Sequence, residues 1–427
     1  MTALRFEMDD SCARRILGTV PPLTSTAADE VRRIATLITS GDLPAFSIAR
    51  TDSDLPLLET LVTRARSHFS DVVFIGMGGS TMCGMALISG SGRDGYLQAP
   101  RLHFLNNPDP TTLEALLAQL PLATTQIVSI SKSGGTIETL YMTLAFVRAF
   151  QQAGLNPAHH LLGVTEDRPS ALSTLLHELG APRLPHDPKI GGRYAALSVV
   201  GVLPALYAGM DARALRQGAA QVLERFLENP LESAPLRSAQ VSVQAAALGR
   251  STEVWMGYSN RLKGLGPWWA QLWAESLGKH GKGTFPVAAV GAIDQHSLLQ
   301  LFADGADKAL YTLILPTYAG PSFAETPAHA KALGMPELGG VTGGALLAAQ
   351  AEGTRASLEH FGRPLRVLRT GPVTEATLGA LIQHGHLTTV MAGVLWGVNA
   401  FDQPAVEDSK RRTLAALAQG TTSWTAA

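Results

Sequence analysis

The stretch "SISKSGGTIETL", residues 129–140, places hydroxyl side chains, one lysine and a glycine pair between two apolar segments. The residues just before it, "QIV", are typical of the end of a buried strand. Leu140, Leu144 and Val147 follow at a spacing that sets them on one face of a helix. The stretch therefore predicts the turn between a strand and a helix.

Two interpretations of this turn are open. The first backbone N–H groups of a helix have no partner within the helix and lie at the positive end of its dipole, so they attract phosphate. Hydroxyl and ammonium donors for such a phosphate would come from Ser131, Lys132, Ser133 and Thr136. The alternative is an ordinary helix cap, in which Ser133 or Thr136 caps and Glu138 completes a capping box. The local pattern alone does not separate them.

The composition indicates a globular chain of two or three domains. Of 427 residues, 46% are hydrophobic and 16% are charged, which is typical of a chain with buried cores and no long disordered tract. The 34 basic residues nearly balance the 35 acidic ones. This balance argues against a strongly basic surface for nucleic acid or an anionic membrane, so we expect neither as a partner.

The cysteines and the uncharged runs bear on location. Cys12 and Cys83 are too few for a disulfide framework and lack zinc-ligand spacing, which fits a reducing compartment. The first residues, "MTALRFEMDDSCARR", contain acids and no apolar signal-peptide core. The runs "YAALSVVGVLPALYAGM" and "HLTTVMAGVLWGVNAF" are shorter than the roughly 20 apolar residues of a membrane span. We predict that both runs are buried helices and that the location is cytoplasmic.

A repeated strand–turn–helix pattern sets the fold class. "DVVFIGMGGSTMCGMAL" and "TTQIVSISKSGGTIETLYMTLAFVRAF" each show it, and "RLHFLNN" and "HHLLGVTED" add strands. A second set begins near "EVWMGYS" and continues to "ALYTLILP". Strands that alternate with helices predict an α/β fold whose parallel sheets are covered by helices on both faces.

The predicted organisation is two three-layer αβα domains with helical segments at either end. We place a helical lead-in at residues 1–65 and a first αβα domain, containing the phosphate-binding turns, at residues 66–235. The second αβα domain covers residues 236–370, and a helical C-terminal segment covers residues 371–427.

The turns "GMGGS" and "SKSGGT" both follow strands, so both lie at the carboxyl edge of the predicted sheet. Ligands of open α/β sheets bind at that edge. The convergence favours the phosphate site over the simple cap. A dinucleotide site is the competitor, but "GMGGSTMCG" departs from G-x-G-x-x-G because Thr81 takes the place of the last glycine.

Glu275 in "GPWWAQLWAESLGKHGKG" is a candidate general base. Pro267 suits the first position of a helix and Gly278 its end, and Trp268 and Leu272 then share a face with Glu275. A carboxylate on an apolar face can exchange protons with a substrate. The alternative is a carboxylate at the rim that simply pairs with the lysine four residues later, Lys279.

Three further polar residues have a catalytic and a structural interpretation. Arg193 in "GGRYAALS" could bind an anionic ligand or form a structural pair with a carboxylate. His296 in "GAIDQHSLLQLF" is predicted in the first turn of a helix capped by Asp294, and a lone histidine is often structural. Lys410 in "FDQPAVEDSKRR" lies in a charged segment typical of solvated side chains.

Six segments in order resemble the phosphoglucose isomerase family of the sugar isomerase (SIS) domain superfamily. The segments are "GMGGS", "SKSGGTIET", "GGRYAALS", "ESLGK", "DQHSLLQ" and "DQPAVEDSK". They resemble the family patterns G-I-G-G-S, S-K-T/S-x-x-T-x-E-T, G-G-R-Y/F-S, E-S-N-G-K, a Q-H-S-like segment and D-Q-x-G-V-E-x-x-K. They extend from Gly76 to Lys410, so the resemblance covers most of the chain and implies two SIS-type domains.

The resemblance implies an aldose–ketose isomerase that interconverts glucose 6-phosphate and fructose 6-phosphate without a metal or organic cofactor. It places the phosphate on residues of the two turns. These residues are Ser131, Lys132, Ser133 and Thr136, with Gly79 and Ser80.

The resemblance also implies the catalytic roles. Glu275 would move a proton between C1 and C2 through a cis-enediol, and Arg193 would stabilise the enediolate. His296 and Lys410 would assist opening of the sugar ring. Gln403 would position the substrate. Family members are homodimers in which the equivalent of His296 reaches the neighbouring subunit's site, so we expect a homodimer here.

The chain departs from the family patterns near the proposed base and the histidine. Leu277 replaces the asparagine of E-S-N-G-K, and Ile293 and Asp294 alter the segment before the histidine. Ala405 and Ser409 stand where glycines are commoner. These departures bear more on substrate identity than on reaction type.

Two alternatives therefore stay open. One is an isomerase for mannose 6-phosphate or another hexose with an anion at C6. The dual-specificity branch has a serine motif closer to S-Y-S-G-N-T, so "SISKSGGT" argues against it. The other is a regulatory sugar-phosphate binder, but the four catalytic candidates are all present and no helix-turn-helix segment or basic arm is recognisable.

Overall fold

The computed structural model describes residues 4–92, 100–318, 324 and 326–420. The outermost parts of the predicted lead-in and C-terminal segment, residues 1–3 and 421–427, lie outside the described residues. Strands within the described part form two five-stranded sheets. They are β1 (Phe6–Asp9), β2 (Asp71–Ile75), β3 (Arg101–Leu105), β4 (Thr125–Ile130), β5 (Leu161–Thr165), β6 (Arg183–Pro185), β7 (Thr252–Gly257), β8 (Phe285–Val290), β9 (Ala309–Pro316) and β10 (Leu365–Thr370).

Helices connect the strands and extend the chain at both ends. They are α1 (Ser11–Leu17), α2 (Ser25–Thr39), α3 (Pro44–Ser47), α4 (Leu55–Arg66), α5 (Gly79–Gly90), α6 (Pro110–Gln119), α7 (Ile137–Gln152), α8 (Ala171–Leu179), α9 (Val199–Tyr207), α10 (Ala212–Glu228), α11 (Ala234–Ala247), α12 (Leu265–Leu277), α13 (Leu299–Asp304), α14 (Pro327–Ala332), α15 (Gly343–His360), α16 (Glu375–Trp396) and α17 (Pro404–Ala418).

The first sheet has the order β3-β2-β4-β5-β6, and all its strand pairs are parallel. Alternate residues of its strands enter different cores. Phe74 and Val128 belong to one hydrophobic cluster, whereas Val73 and Ile127 belong to another on the opposite face. A sheet buried on both faces explains why apolar residues occupy neighbouring positions in its central strands, as the pattern predicts.

The second sheet has the order β1-β10-β9-β7-β8 and is parallel except for β1, which pairs antiparallel with β10. β1 lies within residues 1–65, for which we predicted only helices, and that prediction is corrected here. The strand is only four residues long, and its exposed residues, Glu7 and Asp9, are acidic, so the sequence contains no apolar run at this position. The residue bounds of the domains otherwise stay a prediction, and α11 crosses the predicted boundary at 235/236.

A hydrophobic cluster between the two sheets joins them. It contains Phe74 of the first sheet, Trp255 of the second, and Trp268 and Leu272 of α12. The two uncharged runs form α9 and α16, both largely buried, as predicted. No helix among the described residues is long and apolar enough to cross a membrane.

The predicted face of α7 is only partly correct. Val147 is buried, but Leu144 is exposed, and the buried stripe consists instead of Thr139, Met142, Thr143, Phe146, Val147 and Phe150. The hydroxyls of Thr143 and Ser129 bond to each other at 2.8 Å, which allows polar residues on the sheet-facing side. The spacing of apolar residues alone does not identify the buried face of α7, because that face includes Thr139 and Thr143.

Candidate active site

The hydroxyl-rich turn lies where β4 ends and α7 begins. The Ser131 N–H donates to the Val164 carbonyl at 3.0 Å, which extends the sheet pairing into the turn. Thr136 occupies the N-cap position, but its side chain makes no capping bond and its Oγ1 instead accepts from Ser131 Oγ at 3.0 Å. The capping-box interpretation is therefore wrong. Among the described residues, the cap side chain leaves the first N–H groups of α7 unbonded, as an anion site requires.

The loop after β5 supports this turn from behind. Glu166 N–H donates to the Lys132 carbonyl at 3.1 Å, and Leu172 N–H donates to the Gly134 carbonyl at 2.9 Å. Gly134 has φ +66°, and a Cβ there would lie 2.0 Å from Ser170 Oγ. Glycine at this position lets the two loops pack together, which fixes the shape of the turn.

Lys132 supplies the charge of the turn. Its side chain is one-third exposed, and Nζ lies 3.9 Å from Glu166 Oε1. Glu166 itself bonds more closely to Arg168. Partial burial lowers the pKa of the Lys132 ammonium, and the nearby Glu166 carboxylate opposes this effect. Lys132 is thus a weakly engaged cation beside the start of α7.

The other small-residue turn, after β2, contacts the segment that holds Arg193. A Cβ at Gly79 would lie 2.2 Å from the Gly192 carbonyl oxygen, so no side chain fits there. Ser80, the next residue, is half-buried in the first turn of α5. β2 and β4 are neighbours in the sheet, so the Gly79 turn lies beside the hydroxyl-rich turn, residues 131–136, which we call the phosphate turn. On its other side the Gly79 turn contacts the segment of Arg193.

Arg193 lies in a 3₁₀ helix at Gly192–Leu197 and its side chain is only 2% exposed. Its Nη1 donates to Glu275 Oε1 at 3.1 Å and to Gln403 Oε1 at 2.9 Å. Nε donates to Ser276 Oγ at 2.7 Å. Nη2 donates to the carbonyls of Ala400 (2.8 Å) and Asp402 (3.1 Å). The guanidinium therefore joins its own 3₁₀ helix to two distant segments, and it forms the pair with a carboxylate that was one of its two interpretations.

Glu275 lies near the end of α12, a helix that begins at Leu265, before Pro267, and ends as predicted before Gly278. Its side chain is 24% exposed and accepts from Arg193, so the alternative pairing with Lys279 is wrong. Lys279 instead bonds to Asp402 at 2.8 Å. A carboxylate held by a guanidinium at a solvent-accessible edge is well placed to exchange a proton.

Sequence reasoning missed Gln271, whose Nε2 donates to Glu275 Oε2 at 3.0 Å. Its Oε1 is buried and has no hydrogen-bond partner among the described residues. Gln271 also lies against Gly78, because a Cβ at Gly78 would be 2.8 Å from Gln271 Nε2. The available signal was its position four residues before Glu275 on one helix face.

His296 and Lys410 lie outside this network. His296 is exposed and follows a 3₁₀ turn, Ile293–Gln295, whereas the next α-helix begins only at Leu299. Asp294 accepts from Val290 N–H at 2.7 Å and from Ser297 Oγ at 2.9 Å, so it does not cap a helix that contains His296. The predicted helical position of His296 is therefore wrong.

Lys410 lies on exposed α17 and pairs with Glu407 at 2.7 Å, three residues away. Within the part of the chain that the structure describes, neither Lys410 nor His296 bonds to Glu275 or Arg193. Nor do the described residues contain a group of three or more His, Cys, Asp or Glu side chains that could hold a metal ion.

The site combines a turn rich in hydrogen-bond donors with a carboxylate and a guanidinium that bond to each other. The fold and the site therefore define an α/β protein of two largely parallel sheets, with the turn at the carboxyl edge of the first sheet and the Arg193–Glu275 pair close to the Gly79 turn. A profile of the phosphoglucose isomerase family matches residues 60–316, more than half of the chain. A glucose-6-phosphate isomerase of Rubrobacter xylanophilus is 35% identical over 386 residues, 88% of this chain and 89% of that protein. The chain belongs to the phosphoglucose isomerase family.

Solved structures support the same assignment of the fold. A hypothetical protein from Thermus thermophilus is 30% identical, with a TM-score of 0.86 over 97% of this chain and 100% of that one. A glucose-6-phosphate isomerase from Chlamydia trachomatis matches with a TM-score of 0.75 over 96% of this chain and 78% of that one, at 24% identity. The predicted fold class, an α/β fold with parallel sheets covered by helices, is confirmed, and the N-terminal segment contains β1 as well as helices.

Proposed function

We propose that Glu275, Arg193 and the phosphate turn catalyse the interconversion of glucose 6-phosphate and fructose 6-phosphate. The chain is an isomerase of the phosphoglucose isomerase family, and its curated relatives are named for this reaction. The observation that carries the residue assignment is the bond between Arg193 and Glu275, because it unites a proton acceptor with a charge stabiliser. The mannose 6-phosphate and regulatory alternatives are not favoured by these names.

The phosphate is the first group to be fixed in this proposal. Its oxygens accept hydrogen bonds from the first N–H groups of α7 and from the side chains of Ser131, Lys132, Ser133 and Thr136. The turn at Gly79 and Ser80 lies on the opposite side of the phosphate. This binding orients the sugar carbons with respect to Glu275, which contributes to catalysis by holding the reactants in place.

Proton transfer follows in the open-chain sugar. Glu275 removes the C2 proton of glucose 6-phosphate, and the electron pair moves towards C1 and its carbonyl oxygen to give an enediolate. Arg193 stabilises this anion. Glu275 then returns the proton to C1 while the C2 hydroxyl proton passes to the C1 oxygen, which yields fructose 6-phosphate and restores the carboxylate. Arg193 must exchange its Nη1 bonds to Glu275 and Gln403 for substrate oxygens during this step.

Ring opening is assigned to His296 and Lys410, which we place in a homodimer with a shared site. His296 is exposed, and two residues close to it in the sequence, Ile293 and Leu301, have strongly exposed apolar side chains. Exposed apolar patches of this kind mark interaction surfaces. A second copy that covers them would remove His296 from solvent and bring it towards a neighbouring site.

A mixing experiment tests the shared site. Glu275→Gln and His296→Ala homodimers should each be nearly inactive. Denatured and refolded together, they should recover about a quarter of wild-type activity, because half of the dimers then contain one intact site in two. Mixtures no more active than their components, with dimers confirmed by light scattering, would contradict the assignment of His296 to the partner.

The reaction itself is tested by incubating fructose 6-phosphate with the protein in excess chelator and measuring glucose 6-phosphate. Rapid formation is expected, since the proposal uses no metal. Absence of turnover would refute the proposed function. Faster formation of mannose 6-phosphate than of glucose 6-phosphate would show that mannose 6-phosphate is the preferred aldose. A cytoplasmic location is also proposed, in keeping with the free thiols of Cys12 and Cys83.

A further inference from the structure

Lys279, the last residue of the "ESLGK" segment, has no part in the proposed reaction, yet it is almost fully bonded. Its side chain is only 8% exposed. Nζ donates to the Ser276 carbonyl at 2.9 Å, to Asp402 Oδ1 at 2.8 Å and to the Asn399 carbonyl. An ammonium has three donors, so these three acceptors satisfy it.

Two of these acceptors belong to the turn that connects α16 to α17. This turn, residues 399–403, contains its own bonds: Asn399 Nδ2 donates to Asp402 Oδ2 at 2.9 Å, and Phe401 N–H donates to Asn399 Oδ1 at 3.0 Å. Arg193 Nη2 donates to the Ala400 and Asp402 carbonyls. The 399–403 turn is therefore held by Arg193 and by Lys279.

Gln403 is the last residue of the turn and the N-cap residue of α17. Its Oε1 accepts from Arg193 Nη1 at 2.9 Å. α17 has no buried residue along Pro404–Ala418, all of which the structure describes. Since packing of the following helix does not fix Gln403, its position depends on the 399–403 turn, which is held by these bonds and by the packing of Ala400 and Phe401.

We propose that Lys279 is a positioning residue that acts through Asp402 to hold Gln403 against Arg193. The inference rests on the proposed function for its catalytic consequence, but the positioning itself concerns only residues of this chain. The Asp402 carboxylate is 53% exposed, so water competes for it, whereas the Lys279 side chain is 8% exposed and follows the end of α12, where Ser276 and Leu277 are buried. The Lys279 bond also lowers the pKa of Asp402, which shows that the pair favours the ionised carboxylate.

Lys282 offers a matched control. It is a lysine three residues further along, and its Nζ donates to the Trp396 carbonyl at the end of α16. Both lysines therefore bond to backbone carbonyls near the same helix end, but the bond of Lys282 lies outside the 399–403 turn. Lys282 is the more exposed of the two, so melting temperatures of both variants are needed to separate a loss of stability from a loss of positioning.

The first experiment compares kcat and KM for Lys279→Met, Lys282→Met and Asp402→Asn, each alone and combined with Gln403→Ala. A displaced positioning group costs about tenfold or more in rate. We expect Lys279→Met and Asp402→Asn to lower kcat/KM about tenfold, and to cost almost nothing further once Gln403 is alanine. An equal loss in both backgrounds, or an equal loss with Lys282→Met, would overturn the proposal.

A second measurement does not depend on activity. The side-chain amide signal of Gln403, assigned in glutamine-labelled protein by its loss in Gln403→Ala, should move to the position of a free glutamine in Lys279→Met and remain unchanged in Lys282→Met. An unmoved signal in Lys279→Met would refute the positioning role. An inactive wild-type protein in which the signal still moves would refute the proposed function alone.

Discussion

The phosphate turn and the Arg193 cluster differ in how far their donors are already used. All five N–H groups of the Arg193 guanidinium donate to acceptors of the protein. In the turn, by contrast, α7 begins without a side-chain cap, and Lys132 has only a loose ion pair at 3.9 Å. One region is ready for an anion, whereas the other must first exchange partners.

This difference suggests an order of events. The turn can bind phosphate at the first N–H groups of α7 and at Lys132, and only the bond between the Ser131 and Thr136 hydroxyls has to be exchanged. Most of the free energy of phosphate binding is therefore available to reorganise Glu275 and Gln403 around the sugar. Substitutions in the cluster should therefore affect kcat most, and substitutions in the turn should affect KM most. The predictions below test this division.

The largest effect is expected for Glu275→Gln. Loss of a positioned general base lowers turnover by about 10²–10⁴-fold. Inhibition by inorganic phosphate should stay within about twofold of wild type, because the turn is unaltered. Steady-state kinetics and phosphate inhibition check both points. A variant that retains near-normal turnover with an unchanged melting temperature would eliminate Glu275 as the base.

Arg193→Lys should follow, with kcat reduced by about 10²–10³-fold, because a lysine cannot reproduce the planar fork that faces the enediolate. Arg216→Lys is the control. Arg216 is equally buried and pairs with Asp54 through two bonds, but it lies outside the site. The Arg216→Lys variant should be less stable and keep its kcat. A similar fall in kcat for both variants would mean that Arg193 supports the folded structure and does not stabilise the enediolate.

Ser131→Ala should act mainly on KM. A hydrogen bond to a charged group is worth about 1.5–3 kcal/mol, so KM should rise about tenfold or more while kcat changes little. Ser129→Ala is the control, since Ser129 is buried on β4, two residues before Ser131, and bonds to Thr143. A larger effect on kcat than on KM would remove the distinction between the two regions.

The smallest effect is a pH dependence from Lys132. Burial lowers the pKa of its ammonium, so raising the pH removes the positive charge earlier than in a free lysine. KM should therefore rise on the alkaline side, by about fivefold or less for a contact worth about 1 kcal/mol. Lys132→Arg, which stays charged, should flatten this rise. An identical rise in KM at alkaline pH in the Lys132→Arg variant would show that a group other than Lys132 causes the pH dependence.

The local part of the site was predictable from sequence, whereas its assembly was not. Ser131 to Thr136 are neighbours in the chain, so the strand, the glycines and the hydroxyls could be interpreted together. Arg193 and Glu275 are 82 positions apart, and their contact depends on how α12 packs between two sheets. The role of Gln271 was equally hidden. Its spacing to Glu275 is visible in the sequence, but its contact with Gly78 depends on the tertiary structure.

The fold shows the same division. The parallel strands of the first sheet were visible because burial on both faces favours short apolar runs, such as "VVFI" in β2. β1 was missed because a four-residue edge strand is defined by its partner β10 rather than by its own pattern. His296 was misplaced because Asp294, which looks like a helix cap, bonds to the strand behind it.

The most direct test of the central claim is deuterium incorporation at C1 and C2 when the sugar phosphate turns over in D₂O. NMR should show solvent deuterium at these positions with the wild-type protein. Glu275→Gln should show none, even after long incubation, while inorganic phosphate still binds. Incorporation by the variant at a rate near that of the wild type would show that another group moves the proton, and the account of Glu275 would be wrong.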